Sequence, residues 1–132
     1  MRVLKAIGNY FLNWIAVILF VVIHPFNAVA EILRSKEGGS KNAFGNALAI
    51  DIFGNEHYET FFNWAFRKKG GYKFGKQGET ISVAMAKNMK IGKLSAIGWF
   101  FAFWISLVDI TTWGKGGHFK GIADKPRLNK EG

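Results

Sequence analysis

The 132-residue chain contains no cysteine. Disulfides, thiolate nucleophiles and cysteine-held metals are therefore excluded. Proline is nearly missing too, with only Pro25 and Pro126. Pro25 alone interrupts the first apolar run, where it removes a donor and crowds the preceding turn. Acidic residues are scarce: 9 against 18 lysines and arginines, for a net charge of +9. The three histidines, His24, His57 and His118, stand far apart and fit no metal-ligand spacing. No metal and no cofactor is expected. No Ser-His-Asp arrangement follows from spacing alone.

What is abundant is apolar and aromatic: 13 Phe and 5 Trp. Aromatic load with a basic excess points to a membrane surface or nucleic acid as partner. The length is that of one domain or less. The basic residues are unevenly placed. Arg2 and Lys5 precede the first apolar run, eleven lie from Arg34 to Lys93, and five lie from Lys115 to Lys130. Two apolar runs thus flank a basic centre.

The first run, Ala6 to Ile23, carries only Asn9 and Asn13 as strongly polar residues. It is long enough for one bilayer crossing of about 20 residues. Trp14 suits the membrane interface. A cleaved signal peptide is the rival reading, weakened by the run's length and a poor cleavage site at Ala28-Val29-Ala30. Pro25 either kinks the helix or opens a second one. The last run, Leu94 to Trp113, again matches a bilayer thickness, with Trp113 at its end.

Between them, "SKEGGSKN" reads as a linker. In the next stretch Gly54-Asn55 is expected to close one helix and cap another. The second helix carries Tyr58, Phe61, Phe62, Ala65 and Phe66 at helical spacing, with Arg67, Lys68 and Lys69 at its C-terminal end. It reads as an interfacial amphipathic helix, or as a core helix of a bundle. "GGYKFGKQG" reads as a flexible turn and lacks the ending of a phosphate-binding loop. "ETISVAMAKNMKIGK" reads as a helix with an Ile81, Met85, Met89 stripe and with Lys87, Lys90 and Lys93 facing water or headgroups.

Asp109 sits near the end of the last run, where a carboxylate costs less than at the bilayer centre. It is expected to be an interfacial anchor, or to pair with Lys115, Lys120 or His118. The tail after Gly114 is expected to be extended or held by a partner.

"GETISVAMAKN", followed after an apolar stretch by Asp109 and "GHF", resembles a group of small uncharacterised proteins of tailed bacteriophages and prophages. Glu79, Thr80, Ile81 and Ser82 match the core of that group's D-E-T-[IL]-S motif, and Asp109 and His118 match later positions. Gly78, Val83-Ala84-Met85 and Phe119 depart from the pattern. The resemblance covers about half the chain. It implies a viral origin and membrane association, and it implies that Glu79 and His118 belong together structurally. Glu79, Thr80, Ser82 and His118 are read as a structural motif, its polar residues capping a helix start.

The expected fold is all-α, a membrane protein with two transmembrane helices and intervening amphipathic helices. Its parts are an N-terminal span in 1–34 kinked near Pro25, a basic amphipathic region in 35–93, a second span in 94–113 and a basic tail in 114–132. The expected function is a non-enzymatic structural or assembly subunit in a bacterial inner membrane or a virion membrane. Its partners are anionic phospholipid and other proteins, with nucleic acid left open. The alternatives are a holin-like pore former and a basic DNA-binding or packaging protein.

Overall fold

The computed structural model describes residues 1–34, 40–109 and 114–124. The chain divides into two compact units, Met1–Asn46 and Ala47–Gly132. Every regular element described is helical. These are α1 (Arg2–Arg34), α2 (Ser40–His57), α3 (Glu59–Ala65), α4 (Ile81–Lys90), α5 (Ala96–Val108) and a 3-10 turn at Ile122–Asp124.

The first unit is dominated by α1. It has 33 residues, or about 50 Å at 1.5 Å per residue. None of its side chains is buried, and the large apolar ones from Ile7 to Ile23 lie open along its length. It is the one helix among the described residues long and apolar enough to cross a membrane. The helix runs on through Pro25, so no second helix opens there. Pro25 has no N–H for the carbonyl one turn back. In the turns beyond it, Asn27 donates to Glu31 at 3.1 Å. The linker expected over 35–42 is shorter than the sequence suggests, because α2 already starts at Ser40. Residues 35–39 lie outside the described ones.

In the second unit α4 is the centre. Six of its residues are buried, from Ser82 to Ala86 together with Asn88. Met85 and Ala84 meet Ala65, Phe66, Phe74, Leu94 and Ala102 in one apolar cluster. The Ile81, Met85, Met89 stripe is therefore core, and the helix is wrapped on nearly all sides rather than laid on a surface. Lys90 and Lys93 are exposed as expected, but Lys87 is half-buried against Glu79.

The break expected at Gly54-Asn55 falls later, at Tyr58. Gly54 stays helical, and a Cβ there would lie 2.8 Å from the Ile81 side chain. Asn55 is fully buried and reaches across to the loop instead of capping. Arg67, Lys68 and Lys69 follow α3 rather than closing its last turn. There the chain pairs with the segment before α5. Arg67 and Leu94 form an antiparallel bridge, Lys68 N donates to Lys93 O at 2.8 Å, and Ser95 N donates to Phe66 O at 2.8 Å.

The second expected span is shorter in the structure. Described as helix are the 13 residues of α5, and Asp109 has left helical geometry. Ser95 caps the start, its hydroxyl accepting from Gly98 N at 3.1 Å. Residues 110–113, and so Trp113, lie outside the described residues. The inner side of α5 is made of small residues. A Cβ on Gly98 would come within 2.7 Å of the fully buried Leu94 and 3.2 Å of Phe66 O.

The glycine-rich stretch between α3 and α4 is a loop, as its sequence suggests, but it is tied down at many points. Asn88 accepts from Tyr72 N at 2.8 Å and donates to Tyr72 O at 2.9 Å and to Ala84 O at 3.0 Å. Asn63 spans Phe74 in the same two-way manner. Asn55 donates to Glu79 O and Lys76 O and accepts from Gly75 N. Replacing Asn88 by Ala strands the N–H and C=O of Tyr72, at roughly 1–3 kcal/mol per unsatisfied buried group. Asn88→Ala is expected to lower the thermal midpoint in detergent by several degrees more than Asn42→Ala, an exposed control. Equal midpoints for the two variants would remove this role.

Candidate functional site

The polar centre of the second unit lies at the start of α4. Thr80 is extended and caps the helix, its Oγ1 accepting from Val83 N at 3.0 Å. A cap by Ser or Thr supplies an acceptor that the first turn lacks. From α2, Asp51 approaches the same turn. Its Oδ1 accepts from Ile81 N at 3.0 Å and its Oδ2 accepts from the Ser82 hydroxyl at 2.9 Å. A carboxylate here also meets the positive end of the helix dipole.

The far side of Ser82 is reached by the chain after α5. Gly114, Gly116, Gly117 and Gly121 all have positive φ, a conformation that costs glycine nothing and other residues a Cβ clash. This tight turn brings His118 back over the end of α5. Its Nδ1 lies 2.6 Å from Asp109 Oδ2, and its Nε2 lies 3.3 Å from Ser82 Oγ. Both side chains of the Asp109–His118 contact are about three-quarters buried. Of the partners expected for Asp109, His118 is in contact in the structure.

Glu79 lies deeper. It is almost fully buried, and its Oε1 accepts from the Tyr72 hydroxyl at 3.0 Å and from Lys87 Nζ. Lys87 also donates to the Tyr72 oxygen at 2.9 Å. Burial lowers the pKa of Lys87, but its bonds to Glu79 and Tyr72 outweigh that and leave it above its usual 10.5. The motif residues thus serve two places. Ser82 joins His118 and Asp109, whereas Glu79 joins Tyr72 and Lys87.

The order carboxylate, imidazole, hydroxyl is that of a nucleophile array. Two features set it apart from a free nucleophile. The Ser82 hydroxyl lies nearer to Asp51 than to His118. The N–H groups of Ile81 and Val83, which a helix start would offer to an oxyanion, are committed to Asp51 and Thr80. Among the described residues no three His, Asp or Glu side chains gather as metal ligands.

The remaining expected positions are scattered. Trp14 and Pro25 lie exposed on α1. Arg67 is half-buried and donates to Gly71 O at 3.0 Å, while Lys68, Lys69 and Lys93 are exposed. Lys90 pairs with Asp124 at 2.9 Å on the surface. Asp124 belongs to the 3-10 turn, so the described start of the tail is turned back toward α4 rather than extended. Asp51 and Tyr72 escape sequence reading, and Asn55 is read there only as a helix cap. Asp51 and Asn55 share a helix face by their four-residue spacing, which was the one available signal. The chain matches no protein-family model, no curated protein and no solved structure.

Burial raises the pKa of Asp51 above its ordinary 3.8, against the lowering by the Ser82 hydroxyl, the N–H groups of Ile81 and Ser82 and the field of His118. The folded chain holds this proton more tightly than the unfolded one. The stability it contributes is full below the unfolded value and is lost as pH rises through the raised folded value. Asp51→Asn cannot titrate. The stability of the wild type relative to this variant is therefore expected to fall as pH is raised from about 3 to 7, read as paired thermal melts. A pH-independent difference would contradict the assignment.

Proposed function

We propose that the protein is an integral membrane protein that holds its second unit at a bilayer as a structural or assembly subunit of a larger complex, without a chemical step of its own. The observation that carries this reading is α1, a 33-residue apolar helix with no buried side chain. Such a surface is unfavourable in water, where each square ångström of apolar area costs roughly 25 cal/mol. It is suited to hydrocarbon, because a helix satisfies its own backbone. The basic centre of the chain favours anionic headgroups. The resemblance to bacteriophage proteins makes a bacterial inner membrane or a virion membrane the natural setting.

Alkaline carbonate extraction tests this directly. The full-length protein is expected to stay in the membrane pellet with α1 attached, as judged by the intact mass. Release into the supernatant, or a mature form lacking α1, would replace the anchor with a peripheral protein or a signal sequence.

One observation favours a second reading, a serine hydrolase: the contact order Asp109, His118, Ser82. A long-chain fluorophosphonate probe separates the two. No adduct on Ser82 is expected. An adduct that forms in the wild type and is lost in His118→Gln would establish the nucleophile and overturn the structural reading.

A further inference from the structure

One face of the second unit is left uncovered by the described residues. On α5, Gly98 and Ala102 face the core, while Phe100, Phe101, Phe103 and Trp104 are exposed. The patch extends to α3 through ring contacts. Phe101 meets Phe66 at 5.2 Å, Phe66 meets Phe61 at 6.0 Å, and Phe61 meets Trp64 at 6.3 Å. Trp64 is 79% exposed. Phe66 itself is buried, so the exposed rings of α5 and α3 are joined through a core side chain beneath them. Exposed aromatic clusters of this kind mark a contact site in a soluble or membrane protein.

Charge and length together identify what covers it. The pairing of residues 66–68 with 93–95 puts the exposed Lys68, Lys69 and Lys93 beside the N-terminal end of α5. Exposed Lys115 and Lys120 follow its C-terminal end, in the turn that His118 holds to Asp109. The helix between these two basic ends is 13 residues, or about 20 Å. A hydrocarbon core is about 30 Å thick. Asp109 has left helical geometry, so the helix as described is shorter than a single crossing.

We propose that the aromatic face of α5 and α3 is a monotopic membrane contact, embedded in one leaflet of an anionic phospholipid bilayer with its lysines among the headgroups. The proposal rests on the membrane residence argued above and adds a second, independent point of contact. Rings enter the headgroup–acyl boundary to about 5–10 Å, and Trp and Tyr favour that depth. Lysines near an anionic surface each strengthen binding.

The absence of cysteine makes single nitroxide labels clean to introduce. The full chain would carry one label at Ile18→Cys, Lys73→Cys, Phe103→Cys or Leu107→Cys, in nanodiscs of mixed neutral and anionic phospholipid. Accessibility to oxygen and to a polar nickel complex reports depth. Ile18 is expected near the midplane and Lys73 in water. Phe103 and Leu107 are expected at one shared shallow depth, about 5–10 Å below the phosphates. Labels at Phe103 and Leu107 as wet as Lys73, with Ile18 deep, would overturn this contact and leave the α1 anchor standing. A wet Ile18 with shallow Phe103 and Leu107 would do the reverse. Depth rising past the midplane from Phe103 to Leu107 would make α5 part of a span and end the proposal. Two labels on the helix guard against one that perturbs folding. Reversing Lys68, Lys69 and Lys93 to Glu is expected to move the Phe103 label toward water, with Ile18 unchanged. An unchanged Phe103 depth would sink the anionic-headgroup part.

Discussion

A loop rich in glycine and lysine has little apolar surface of its own, so something must fix its backbone if the helices around it are to close on a core. Three asparagine side chains do so. Asn55, Asn63 and Asn88 each come from a different helix and each engages backbone groups of the stretch from Tyr72 to Glu79. An amide offers donors and an acceptor together, so it substitutes for a missing strand partner. Phe74 is driven into the core by this arrangement and is 2% exposed. Without the amides the loop's polar groups would need water where α4 has to pack.

The second tie works at longer range along the chain. Ser82 receives Asp51 from thirty-one residues upstream and His118 from thirty-six downstream. One small hydroxyl thus sets the start of α4 against both α2 and the turn beyond α5. Glu79, three residues earlier, anchors Tyr72 and Lys87. A segment of four residues thereby organises contacts in every direction, which accounts for its polarity in the middle of an apolar unit.

How far this was legible in the sequence differs by element. Hydrophobic run length found α1 outright, and its period and glycine boundaries found the loop and α4. The cap at Thr80 was readable because capping is local. The break at Gly54-Asn55 was misplaced because a glycine that admits a neighbouring helix looks the same as one that ends its own. The length of α5 was overestimated because an apolar composition does not report where Ser95 and Asp109 stop the helix. The role of Lys87 was hidden since a lysine on a helix reads as solvated until its buried carboxylate is known. Asp51 could not be paired with Ser82 from sequence, because nothing local connects residues thirty-one apart.

At Gly114, Gly117 and Gly121 the turn that carries His118 constrains handedness more than size, whereas at Gly116 the Lys120 side chain also takes the space a Cβ would need. At Gly117, φ is +88°, and an added Cβ would find nothing nearer than the Ser106 hydroxyl at 3.9 Å. Gly114 and Gly121, also at positive φ, have nothing within 4 Å of such a carbon. Room exists at all three positions, yet L side chains are disfavoured there by their own backbone. Glycine meets this demand at no cost because it is achiral and carries no Cβ.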